Sequence, residues 1–175
     1  MRWRPALAAP VALIVTVPAD ATVYFTTEQA QQAMFPGATF SLVPLQLSDA
    51  QRRTMYDRSG VHEAFQSDRV WRVSTGGYFV IDEVLGKHER IKYAVAIGPD
   101  GTVRQIEILD YRESYGYEVR DAAWRQQFVG KTAASTLQLG ADIRNISGAT
   151  LSSKHLTDGV KRVLAMYELA LKHSP

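Results

Sequence analysis

The apolar residues change period along the chain, and each change predicts an element. Ahead of residue 70 they are broken up by polar stretches that read as short helices. Thr26-Thr27-Glu28 opens one that runs through Met34, and Phe35-Pro36-Gly37 breaks it. Ser48 is placed to cap a second helix from Asp49 to Tyr56, with an acidic residue in the first turn and Gly60 at the end. Both are half polar, so they are expected to flank a core.

The centre turns to period two. Val70-Trp71-Arg72-Val73 and Tyr78-Phe79-Val80-Ile81 are β-rich runs separated by Gly76-Gly77. Ile91 to Ile97 is a third strand, and Gly98-Pro99-Asp100-Gly101 is a turn leading to its partner, Val103 to Leu109. Strict alternation would put Val103, Gln105, Glu107 and Leu109 on one face and Arg104, Ile106 and Ile108 on the other. Asp110 to Val119 reads as a polar, aromatic loop, and Asp121 as the cap of a short helix ending near Phe128. From Leu151 to about Lys172 the period becomes helical: Leu156, Val160, Val163, Leu164, Tyr167 and Leu171 form one stripe. Together these elements predict an α+β fold, a small antiparallel sheet flanked by helices with a long C-terminal helix.

Composition narrows the class. A chain of 175 residues, 46% apolar and 22% charged, fits one compact domain and excludes a disordered or multi-span protein. The absence of cysteine removes disulfides, thiolate zinc sites and Cys-ligated clusters. A net charge of +2, with no basic run longer than Arg52-Arg53, gives no reason to expect nucleic acid as a partner. Residues 1–21 have the layout of a secretory signal peptide: Arg2 and Arg4, then an uncharged run from Ala6 to Val17, then Ala19-Asp20-Ala21 as a cleavage site. An uncleaved anchor facing the periplasm is the alternative. Removing Arg2, Arg4 and Asp20 with that segment leaves 18 basic and 17 acidic residues, a net charge of +1. The expected organisation is a signal at 1–21, a helical extension at 22–69 and a main domain at 70–175.

The chemistry is concentrated ahead of the last helix, in Asn145-Ile146-Ser147-Gly148-Ala149-Thr150-Leu151-Ser152-Ser153-Lys154. A helix N-terminus has unpaired N–H groups and partial positive charge, so it suits a phosphate. Gly148 would let a bulky anion come close to the backbone. Read from the residues alone, a Ser/Thr-rich helix cap is the favoured reading.

Ser147-Gly148-Ala149-Thr150, followed by Leu151-Ser152-Ser153, resembles the flavinylation motif of the FMN-binding domain family. That family includes the extracytoplasmic FMN subunits of the sodium-pumping NADH:quinone oxidoreductase and of the Rnf complex. The resemblance covers about residues 70–170 and takes in the stretch from Gly86-Lys87-His88-Glu89 to Lys131, with its loop Glu113-Ser114-Tyr115-Gly116 and its segment Trp124…Gly130-Lys131. It implies FMN joined through its phosphate to Thr150 by a flavin transferase that uses FAD as donor. Ser147, Gly148, Ala149, Leu151 and Ser152 would shape the phosphate turn. Glu113, Ser114, Gly116 and Lys131 would lie near the flavin. It further implies a small periplasmic electron carrier that exchanges electrons with a membrane redox protein or cytochrome. Two departures stand out. Arg144 occupies a position where the family often has an acid, and the 113–116 loop lacks the proline and second glycine of the large-complex subunits.

Other chemistry finds less support. Gly130-Lys131-Thr132 is not a P-loop, because Arg125 stands where the first glycine belongs. His62, His88, His155 and His173 lack metal-ligand spacing, and no Gly-x-Ser-x-Gly occurs. Tyr111, Tyr115, Tyr117 and Trp124 could stack on a flavin or fill the core. A flavin-dependent reductase of a small acceptor and a non-redox binding module are the alternative functions.

Overall fold

The computed structural model describes residues 24–173. The signal-like segment at 1–21 lies outside them. Among the described residues no helix is long and apolar enough to cross a membrane.

Five strands form one antiparallel sheet in chain order: β1 (Phe40–Leu42), β2 (Val70–Val73), β3 (Tyr78–Leu85), β4 (Arg90–Ile97) and β5 (Val103–Tyr111). The α+β expectation holds, with one strand added. β1 has no sequence signature, since its three residues are half-buried or exposed. It is held by pairing Phe40 to Val73 and Leu42 to Trp71. The two early helices form as their caps dictate. Thr26 and Gln29 make a reciprocal capping box for α1 (Thr27–Met34), as do Ser48 and Gln51 for α2 (Asp49–Ser59).

The sheet separates two apolar layers. On one face lie Tyr78, Val80 and Val84 of β3 with Ile91, Tyr93, Val95 and Ile97 of β4. They pack against the C-terminal helix α4 (Thr150–Met166), which continues through one π-helical turn at Tyr167–Leu171. On the other face Phe79, Ile81, Ala94 and Ala96 meet Ala30 and Met34 of α1 together with Phe35. Large residues therefore face α4, and small ones on β4 let α1 come close.

β5 departs from strict alternation. Its register with β4 shifts between Lys92 and Tyr93 and again between Ala96 and Ile97. Those bulges put Val103 on the α4 face with Ile106, Ile108 and Tyr111, while Leu109 turns to the α1 face. The expected grouping of Val103 with Leu109 is thus overturned. Asp110 and Tyr111 are strand, not loop, and Tyr117–Arg120 forms a 3-10 turn. The helix expected from Asp121 is a single turn, α3 (Ala122–Arg125), extended by a 3-10 turn at Gln126–Phe128, and the Asp121 side chain makes no capping bond. Along its outer edge, β5 is covered. The Leu109 carbonyl accepts from Tyr24 N–H at 2.9 Å, the Ile106 carbonyl from Arg125 Nη1 at 2.5 Å and the Val103 carbonyl from Gly130 N–H at 2.8 Å.

Candidate functional site

Three chain segments meet at one end of the sheet: the β3–β4 turn, the loop after β5 and the start of α4. They enclose a cavity of about 440 Å³, lined by Lys87 and His88, by Glu113, Ser114 and Tyr115, and by Gly148 through Ser152. That volume lies in the range of small-molecule sites, roughly 300–1,000 Å³. Seven of the ten residues singled out from the sequence share this cavity: Glu113, Ser114, Gly148, Ala149, Thr150, Leu151 and Ser152.

Thr150 is the first residue of α4, and its side chain is exposed. No side chain caps this helix, and no acidic residue stands in its first turn. The partial positive charge of a 17-residue helix is therefore uncompensated where it meets the cavity. Asn145 Nδ2 donates to Thr150 Oγ1 at 3.1 Å, and Asn145 Oδ1 accepts from Ser153 Oγ at 3.0 Å. The hydroxyl at the head of the helix is thus held by an amide five residues upstream. The segment leading to it is pinned as well. The Arg144 carbonyl accepts from Trp124 Nε1 at 2.8 Å, and its N–H donates to Gln127 Oε1 at 2.7 Å. The Arg144 side chain is exposed.

Gly116 explains how the 113–116 loop reaches the motif. It has φ +85°, and a Cβ there would lie 2.3 Å from Ala149 Cβ and 2.7 Å from Tyr111 Oη. Only a residue without a side chain fits this crossing. Gly116 thus backs the cavity without lining it. Ser147 is exposed at the turn and also lies outside the lining set. Gly148, at φ +80°, has open space where a Cβ would stand, so its role here is the left-handed turn itself.

Glu113 is 5% exposed, and it makes no ion pair among the described residues. Its Oε1 accepts from the N–H groups of His88 at 2.8 Å and Glu89 at 3.2 Å. Gly86 makes room for it, since a Cβ there would lie 2.4 Å from that oxygen. The carboxylate therefore braces the β3–β4 turn. Tyr111 is buried behind the loop and donates to the Tyr115 carbonyl at 2.5 Å. Burial pushes its phenol up to about 12, and the Ser152 hydroxyl works in the opposite direction.

Lys131 is placed elsewhere. Its Nζ lies 3.0 Å from Asp142 Oδ2, which also accepts from Leu137 N–H, so the ammonium is tied to the 137–142 loop and does not line the cavity. Among the aromatic residues, Trp124 is core, edge-on to Phe128 with centroids 5.2 Å apart. Tyr117 sits on Tyr111 at 5.7 Å. Tyr115, 74% exposed, is the one of these four aromatic residues on the cavity wall. Sequence reasoning gave no site role to Lys87, and none to the side chain of Asn145. Both are ordinary surface residue types, and Lys87 reaches the cavity only through the tertiary fold.

The arrangement can hold an anionic group at the head of α4 and a planar group against Tyr115 and Leu151. No cluster of metal-ligating side chains occurs among the described residues. Residues 86–165 match a family model described as the FMN-binding domain. Every residue lining the cavity falls inside that span. Comparison with curated proteins gives no match.

Proposed function

From a chain that belongs to the FMN-binding domain family through residues 86–165, and is therefore a flavin-binding protein with FMN as its flavin, we propose a more specific role. It carries FMN as a phosphoester on Thr150 and relays electrons outside the cytoplasm. One observation carries this reading: the Thr150 hydroxyl stands at the uncapped head of α4, on the wall of a cavity that lies wholly within the matched span.

Attachment balances as a phosphoryl transfer. Thr150 Oγ1 bonds to the FMN phosphorus of FAD, the pyrophosphate bond breaks, AMP leaves, and the hydroxyl proton passes to a base of the flavin transferase. Asn145 donates to a lone pair of Oγ1 and so orients the hydroxyl for that step. The free N–H groups of the first turn then receive the phosphate oxygens. When bound, FMN supplies the electron chemistry, accepting electrons from one partner and passing them to another. The chain's residues hold and shield it. Leu151 and Tyr115 offer apolar surface, Ser114 a hydroxyl, and Glu113 keeps the β3–β4 turn closed over the cavity. No protein group need change protonation in turnover. The signal-like segment at 1–21 supports a periplasmic location, with a membrane redox protein or cytochrome as the electron partner.

The test is co-expression of the exported protein with a flavin transferase. The wild-type protein is expected to gain the mass of FMN and to keep a flavin spectrum after denaturation, with the label on the Thr150 peptide. Thr150→Ala is expected to gain neither. A fully flavinylated Thr150→Ala protein, or a wild type that releases all its flavin on denaturation, would overturn the assignment.

A further inference from the structure

We propose that Lys87 is the cavity's own counter-charge for FMN, a residue that sets how strongly the site favours negative charge on the cofactor. This rests on the reading that FMN occupies the cavity. Of the ten lining residues, Lys87 is the one Lys or Arg, and the one carboxylate, Glu113, is taken up by two backbone N–H groups. Lys87 makes no ion pair among the described residues. By contrast, Lys131 is paired with Asp142, and Lys154, one turn into α4, with Asp158.

The turn that carries Lys87 is fixed from both sides. His155 Nδ1 lies 2.7 Å from the Leu85 carbonyl and 3.1 Å from that of Gly86. Gly86 N–H donates to the Glu89 carbonyl at 2.8 Å, and Glu113 holds the N–H groups of His88 and Glu89. The backbone of Lys87 is thus anchored by α4 before it and by the 113–116 loop after it. A fixed backbone keeps the flexible stem and its ammonium over the cavity instead of letting the whole turn swing away.

FMN brings negative charge in two places, the phosphate and the reduced ring. A cation beside a ring that gains negative charge on reduction makes reduction easier, and displacing water from the cavity strengthens the attraction. A cation beside the phosphate would instead favour loading and leave the potential alone. The shared chemistry is ammonium to anionic flavin, and the two sources separate by measurement.

The experiment compares flavinylated wild type, Lys87→Gln and Lys87→Arg. For the ring, Lys87→Gln shifts the equilibrium with a two-electron reference dye about tenfold toward oxidised flavin, a potential about 30 mV lower, and Lys87→Arg restores it. For the phosphate, the potential is unchanged, flavin transfer to Lys87→Gln slows severalfold, and Lys87→Arg restores the rate. If Lys87→Gln matches wild type in both potential and loading, the proposal is overturned. Should wild type take up no covalent flavin, the phosphoester reading fails separately. Titration with free FMN then decides: about tenfold weaker binding by Lys87→Gln supports the counter-charge, and equal binding overturns it.

Discussion

At the scale of single residues, the site depends on small polar contacts around one hydroxyl. Asn145 is exposed and adds nothing to the core, yet its amide touches both Thr150 and Ser153. A neutral hydrogen bond contributes about 1 kcal/mol, so Asn145→Ala is expected to slow flavin transfer about fivefold while leaving the melting midpoint nearly unchanged. A loading time course by intact mass checks this, and a wild-type rate would remove Asn145 from the site. Tyr111 offers a pH test. Its phenol is raised from an ordinary value near 10 to about 12, chiefly by burial. Because the folded value is the higher one, this contribution to stability is complete below about pH 10 and is lost as the pH rises through about 12. Tyr111→Phe should therefore lose less stability than wild type across that alkaline window, as read by urea midpoints. Parallel curves would mean that the phenol's environment is not what the contacts indicate.

At the scale of elements, the β3–β4 turn is the part of the site least able to stand alone. Two of its N–H groups depend on the carboxylate of Glu113, which is itself 5% exposed. Glu113→Ala strands those donors and is expected to destabilise the protein by about 1–3 kcal/mol, with Glu113→Gln milder because one acceptor oxygen remains. Denaturant titration of both variants decides it, and equal losses would show that the carboxylate's charge matters more than its reach. The sequence displays some of these elements and hides others for physical reasons. The starts at Thr26 and Ser48 are local signals, so both helices were legible, although the reciprocal bonds from Gln29 and Gln51 appear only in the structure. The β5 bulges were not, because the extra residues at Arg104 and Leu109 are defined by pairing with β4 and by nothing in β5 itself. β1 was missed because an exposed three-residue edge strand carries no period. In the site, the motif at 147–152 and the Glu113 loop could be read because they are contiguous. Lys87 gains its role only when the β3–β4 turn meets the head of α4; Asn145 acts locally, five residues from Thr150, but an asparagine there carries no signal of its own; and Lys131, expected near the flavin, is captured by Asp142.

At the scale of the whole molecule, α4 does two jobs, presenting Thr150 at its head and locking onto the sheet further along. Arg162, 2% exposed, forks onto Asp82 of β3 with Nη2 at 2.8 Å and Nε at 3.0 Å, and also donates to the carbonyls of Glu63 and Glu83. Tyr93 closes the cluster by donating to Asp82 at 2.7 Å. Burial pushes the Asp82 carboxyl up while Arg162 and Tyr93 pull it down. Removing the guanidinium leaves that carboxylate buried with no counter-charge and only the Tyr93 hydroxyl bonded to it by a side chain, so Arg162→Ala is expected to cost about 3–5 kcal/mol. Arg162→Lys should recover only part, since an ammonium cannot reproduce the fork. Thermal unfolding checks both, and a small loss in Arg162→Ala would mean that water reaches Asp82.

The covering of β5 has a consequence for how the chain avoids its own copies while it folds. A nine-residue strand at the border of a sheet is a template on which another chain can add its own strand. Here Leu109, Ile106 and Val103 already spend their outward carbonyls on Tyr24, Arg125 and Gly130. Tyr24 precedes the sheet in the chain and the other two follow β5, so the border is sealed only once segments from before and after the sheet have docked. Until those segments dock, the border can accept a strand from another chain, and once they have docked those carbonyls are taken.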